Sequence, residues 1–142
     1  MNIEDCLEEG LLKKVPPNKD KAIKSLEKSK HLLELAESEL NNGFYESAIV
    51  SAYMSVFHAA RAILFRDGFK ERSHYALYVY ISEKYEGKIE KWLINELNAL
   101  RLQRHELMYD IEKSVEVLEE DANTALNIAK EFLKSVKKIL NF

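Results

Sequence analysis

The sequence predicts an all-α protein, an up-and-down bundle of about five helices. Three observations predict it. Glycine and proline, which break helices and make tight turns, number only 4 and 2 in 142 residues. Alanine, leucine, glutamate and lysine are abundant, which favours long helices over a many-turned β fold. Apolar residues recur at three- and four-residue spacing, and most of these runs end at glycine or asparagine.

Residues 1–17 read as a leader that ends at Pro16-Pro17, with a weak helix over Ile3 to Lys14. Asn18 is placed to cap the first long helix, from Lys19 to Asn41. Ile23, Leu26, Leu33, Leu35, Ala36 and Leu40 form its stripe, and Asn41-Asn42-Gly43 stops it. A second helix runs from Tyr45 to Arg66 and stops at Asp67-Gly68. It is apolar on most sides, which predicts a central position, and Ser51, Ser55, Ala59 and Ala62 give it a small-residue face for close approach. Ser73 caps a third, shorter helix from His74 to Tyr85, ended by Glu86-Gly87. A fourth helix spans Ile89 to Ile111, a link covers 112–117, and a fifth helix runs from Leu118 to Leu140. Alternation of the strand type occurs only around Tyr75–Tyr80 and is too short to displace the helical reading.

The length fits one domain, 1–142, large enough to bury a core without staples. The net charge of -3 is a poor footprint for non-specific nucleic-acid binding, although it leaves room for a local basic cleft. Cys6 is the single cysteine, so no internal disulfide is possible, as suits a reducing cytosol. The acidic start MNIEDCLEEG lacks the basic and apolar regions of a signal peptide, and a cytoplasmic location is expected. The apolar stretch Ala48 to Phe65 carries His58 and Arg61 and reads as a buried core helix, with no membrane span expected.

The fourth helix holds the unusual polar residues. At about 100° per residue, Leu93, Leu97, Leu100, Leu107 and Ile111 fall on one stripe, with Arg104 where a leucine is expected. Arg101, His105 and Tyr109 form a row beside it. Read alone, these residues favour structural roles: Arg104 snorkelling to water or paired with a carboxylate, His105 and Tyr109 on the rim. His58 and Arg61, one turn apart on the second helix, read as a buried polar pair satisfied by a neighbouring helix. His74 is placed to bond neighbouring backbone, and His31 is expected in solvent. No glycine-rich phosphate loop and no zinc spacing occur, and neither metal nor cofactor is expected.

The strings SAYMSVFHAARAILFRDGFKERSHYAL (Ser51 to Leu77) and RHELMYD (Arg104 to Asp110) resemble the HEPN domains. The resemblance is closest to the small stand-alone prokaryotic and archaeal branch often encoded beside minimal nucleotidyltransferases. It implies a helical bundle that pairs into a homodimer, and in many members a metal-independent ribonuclease or toxin. The family signature is an arginine followed, after four to six residues, by a histidine, brought together from two protomers in one cleft. Arg104 fits the arginine, but Tyr109 stands five residues on, and His105 is adjacent to Arg104 or four residues from Arg101. Tyrosine, with an ordinary pKa near 10, is a poor general base at neutral pH.

The resemblance therefore implies a partner of a minimal nucleotidyltransferase in a two-component, toxin–antitoxin-type system. Its cleft, around Arg104, His105, Tyr109 and Arg101 with His58 and Arg61, would bind nucleotide or RNA. One alternative is an active ribonuclease with Arg104 as phosphate binder and His105 as acid/base. Another is a structural interaction bundle with no small-molecule site.

Overall fold

The structure, a computed structural model, describes residues 1–111 and 116–142. Among the described residues the helices are α1 (Ile3–Glu8), α2 (Lys19–Asn41), α3 (Tyr45–Asp67), α4 (His74–Lys84), α5 (Lys91–Tyr109) and α6 (Glu119–Leu140). Two three-residue strands, β1 (Leu12–Lys14) and β2 (Phe69–Glu71), complete the order. The all-α class and the bundle are as the sequence predicts. The expected link at 112–117 falls partly on residues 112–115, outside the described residues.

The helix starts follow their caps. Asn18 accepts the Lys21 amide at 2.9 Å and opens α2 just after the two prolines. Ser73 accepts the Ala76 amide at 3.0 Å and opens α4. The short turn through Gly43 sends α3 back along α2, and these two helices make the most extensive pairing in the fold. Small residues allow the close approach. Ser29 and Ser55 exchange hydroxyl-to-carbonyl hydrogen bonds of 2.7 and 2.8 Å across a fully buried seam. Each hydroxyl thus satisfies a buried acceptor while keeping its own donor partnered.

Helix α3 is the hub. It packs against α2, α5 and α6, and its apolar and small faces are buried. It is long and apolar enough to cross a membrane, but 78% of that apolar window is buried within the bundle. At its C-terminal end Arg66 donates from Nη1 to the Ile139 carbonyl (2.9 Å) and from Nη2 to Tyr85 Oη (2.9 Å), tying α6 and α4 to α3.

The N-terminal residues differ from the expectation of a weak helix over Ile3 to Lys14. Helix α1 stops at Glu8, and Leu12–Lys14 pairs antiparallel with Phe69–Glu71, with Leu12 opposite Glu71. Ile3, Cys6 and Leu12 are buried in the common core. Strands of three residues leave no alternation to read, because their stability comes from the partner strand and not from local pattern. The pairing continues where Val15 donates to the Gly68 carbonyl at 3.0 Å. Gly68 ends α3 at φ +90, and a Cβ there would sit 2.9 Å from the Val15 carbonyl oxygen. Both the left-handed backbone and the close approach require glycine.

The stripe expected on the fourth helix also departs from a continuous core line. Leu93, Leu97 and Leu100 are buried and Leu107 partly so, but Ile111 is 96% exposed. The C-terminal half of α5 keeps one side on the bundle through Arg104 and Leu107 and turns Leu102, Met108 and Tyr109, each more than half exposed, to solvent.

Candidate functional site

Where α5 leaves the core, it lies over the middle of α3 and the start of α4. Arg104 is half-buried there, its Cζ 6.0 Å from the Tyr53 ring centre and 5.8 Å from that of Tyr109. The guanidinium is held between two aromatic faces, a favourable seat for a delocalised cation. Its Nε is buried without a hydrogen-bond partner. Among the described residues, Arg104 has no carboxylate in ion-pair contact.

One turn earlier, Arg101 donates from Nε and Nη2 to Asn98 Oδ1 at 3.1 and 2.9 Å, and its Cζ lies 5.3 Å from the Tyr75 ring centre. A neutral amide fixes the direction of this guanidinium, and among the described residues no carboxylate is in ion-pair contact with it. His105 is exposed, its ring 4.9 Å from that of Tyr109. Arg101, Arg104, His105 and Tyr109 therefore lie together along α5.

The structure places the α3 candidates in a different setting. Arg61 Nε sits 2.8 Å from Glu71 Oε1, and the Arg61 guanidinium covers the Phe57 and Phe65 rings. The two charged atoms are close but misaligned for a good hydrogen bond, and Glu71 Oε2 has no partner. Burial nevertheless raises the Glu71 pKa, and Arg61 opposes the shift only in part. His58 meets Phe57 edge-on at 5.3 Å between ring centres. Its pKa falls to about 4, first by burial and then by the positive charges of Arg61 and Lys28. His58 and Arg61 are thus half-buried, and what Arg61 meets is not on a neighbouring helix. The carboxylate that Arg61 meets belongs to β2, a strand the sequence did not reveal. His31 is exposed, as expected.

His74 was expected to bond nearby backbone, and the structure corrects this. Ser73 already supplies the helix cap, so the ring turns inward, with Nδ1 2.6 Å from Tyr53 Oη. It stacks on Phe57 at 4.3 Å and lies beside Tyr53 at 5.6 Å between ring centres. Burial, then the charges of Arg104, Arg101 and Arg61, lower its pKa, so the imidazole is neutral near pH 7. Burial raises the Tyr53 pKa, so the phenol keeps its proton, and with no other acceptor for it among the described residues that proton goes to Nδ1. The neutral ring then carries its own proton on Nε2.

Tyr53 and His74 are the site residues that sequence reasoning missed. They are 21 positions apart, and Tyr53 counted as one apolar position among many. The available signal was the Ser73-His74 pair, since a serine that caps the helix frees the next side chain for another task.

Beside this cluster, a groove of about 550 Å³ opens between the α2–α3 turn and α5, with Phe44, Val50, Met108 and Val117 among its walls. Val50 lies one turn from Tyr53, and Met108 one turn from Arg104. Among the described residues, no group of three or more His, Cys, Asp or Glu is arranged to hold a metal ion.

The family model of the HEPN domain matches residues 22–139, from α2 almost to the end of α6. The chain belongs to the HEPN domain family. This HEPN domain is also 25% identical over 119 residues to the Methanocaldococcus jannaschii protein "Putative toxin MJ0142", covering 82% of this chain and 80% of that one. Its fold matches the crystal structure of TT1696 from Thermus thermophilus with a TM-score of 0.72 at 18% identity, over 83% of this chain and 97% of the other. The structural match supports the bundle alone.

Proposed function

We propose that this HEPN domain is the toxin-type component of a two-component system. In this reading it binds nucleotide or RNA phosphate at the Arg101–Arg104 cluster and has a minimal nucleotidyltransferase as its partner. The observation that carries the proposal is Arg104. Its buried Nε has no acceptor, its guanidinium lies between two aromatic rings, and no described carboxylate meets it. No described group compensates this guanidinium, which leaves the nitrogens other than the buried Nε to meet a ligand. A phosphate oxygen is the complementary acceptor.

His105 and Tyr109 extend the surface outward. The groove beside Met108 offers an apolar wall for the nucleoside. The exposed end of α5, with Leu102, Met108 and Ile111, supplies the apolar surface for a homodimer that would double the cleft. Helix α3 adds little to that surface, because its own bundle covers it.

The test is binding of labelled RNA and of nucleotides to the wild-type chain and to Arg104→Ala. Loss of at least tenfold in affinity, with the fold intact, supports the proposal. Unchanged binding overturns the site. A second reading, a ribonuclease using His105 beside Arg104, is favoured by the exposure of His105 at the cleft mouth. RNA cleavage that persists in EDTA and is abolished by His105→Ala would establish it in place of the first.

A further inference from the structure

The cluster is more than a pair of arginines on one helix. Arg101 and Arg104 carry two fixed positive charges, and neither has a described carboxylate partner. Near enough to feel both charges, at the start of α4, is an imidazole whose Nδ1 is engaged by Tyr53, the ring that Arg104 also covers. Its remaining edge is assigned as Nε2–H, because Tyr53 Oη has no other acceptor among the described residues for its proton. The stacked Phe57 ring at 4.3 Å fixes the plane of that imidazole.

We infer that His74, held by Tyr53, joins Arg101 and Arg104 in a seat for a terminal phosphate monoester, such as a nucleoside monophosphate or the 5′-phosphorylated end of an RNA. This rests on the nucleotide- or RNA-binding reading above and narrows it. A bridging phosphodiester carries one negative charge. A terminal monoester carries about −1.5 to −2 near neutral pH and exposes three acceptor oxygens. Two guanidiniums match that charge, and with the imidazole N–H they offer donors from two helices to one oxygen cluster.

The remaining charged and titratable neighbours do not compete for it. On α3, Arg61 is engaged with Glu71 of β2, and His58 is neutral near pH 7 and packed on Phe57. Tyr75 of α4 lies under Arg101. His74 is a binding residue in this scheme, and Tyr53 is a positioning residue that acts through it.

The experiment compares two short oligoribonucleotides of one sequence, labelled at the 3′ end, one with a 5′-phosphate and one with a 5′-hydroxyl. Binding to the full chain is followed by fluorescence anisotropy, with AMP against adenosine as competitors. The 5′-phosphate should tighten binding about tenfold, the scale of hydrogen bonds to a charged group. His74→Asn keeps an acceptor for Tyr53 but loses the Nε2 edge. It should abolish most of that preference, with a much larger loss of affinity for the 5′-phosphate than for the 5′-hydroxyl oligonucleotide. Tyr53→Phe should reduce the preference less, because it frees the tautomer without removing the ring.

Equal binding of both oligonucleotides by the wild type overturns the monoester seat and leaves the RNA-binding reading standing. Absence of binding by either, and by AMP, overturns both. Equal loss of both ligands in His74→Asn makes His74 structural and also overturns the inference. The wild-type comparison decides the preference even where a variant fails to fold.

Discussion

Arg61 and Glu71 stand 2.8 Å apart across the junction of α3 and β2, with the carboxylate side chain only 4% exposed and the guanidinium side chain 28% exposed. Removing the arginine leaves a buried carboxylate without its counter-charge. Arg61→Ala should therefore lose about 3 kcal/mol near neutral pH, the scale for breaking a buried pair from one side. The pH dependence has a definite sign. Burial already holds the Glu71 pKa above its unfolded value, and loss of Arg61 raises it further. The folded state then binds the proton more readily than the unfolded one, so the penalty shrinks as pH falls through the folded pKa. Urea unfolding at pH 8 and at pH 5 measures this, and a penalty independent of pH would contradict it.

Arg104 should behave oppositely, although it lies on the same side of the bundle. It has no described carboxylate to strand, so Arg104→Ala should change stability by no more than about 0.5–1 kcal/mol in either direction. The same denaturation experiment serves as the check. A drop as large as that of Arg61→Ala would show that Arg104 holds the fold together.

His58 should titrate far below an ordinary histidine. Its folded pKa of about 4 lies below the unfolded value of about 6.5, so the neutral ring is favoured in the native state. The stability this contributes is present above the unfolded pKa and is lost as pH falls from about 6.5 toward 4. Histidine ring resonances followed by NMR should show one near-invariant signal down to pH 5, assigned by its absence in His58→Gln. A midpoint above 6 for that signal would refute the assignment.

Gly68→Ala should cost about 2 kcal/mol, combining a left-handed backbone at φ +90 with a contact of 2.9 Å to the Val15 carbonyl. Gly43→Ala, at φ +80 with open space around it, should cost less, about 1 kcal/mol. The difference between the two melting temperatures isolates the close approach from the backbone term.

The long helices were legible because each repeats its signal over five or six turns, and all but α5 carry their own stop. The seam between α2 and α3 was half legible: the small face of α3 was apparent, but not that Ser55 would meet Ser29. Arg104, as a cation on a leucine stripe, was a genuine local anomaly. Its surroundings were not readable, because Tyr53 and His74 reach it from two other helices and neither position breaks a local pattern. The stripe through Ile111 misled for a related reason. Periodicity states which residues share a face, but not whether another element covers that face.

The pairing of β1 with β2 gives the first seventeen residues a mechanical role. Glu71, the last residue of β2, meets Arg61, and only two positions separate it from the Ser73 cap that sets the aim of His74. The N-terminal segment is therefore linked in series with the imidazole: strand, counter-ion, cap, ring. Ile3 donating to Glu83 at 2.9 Å clamps the far side of α4 as well. A proteolytic nick near Gly10, or deletion through Pro17, would act as a remote lesion, blurring the orientation of a ring that those residues never touch.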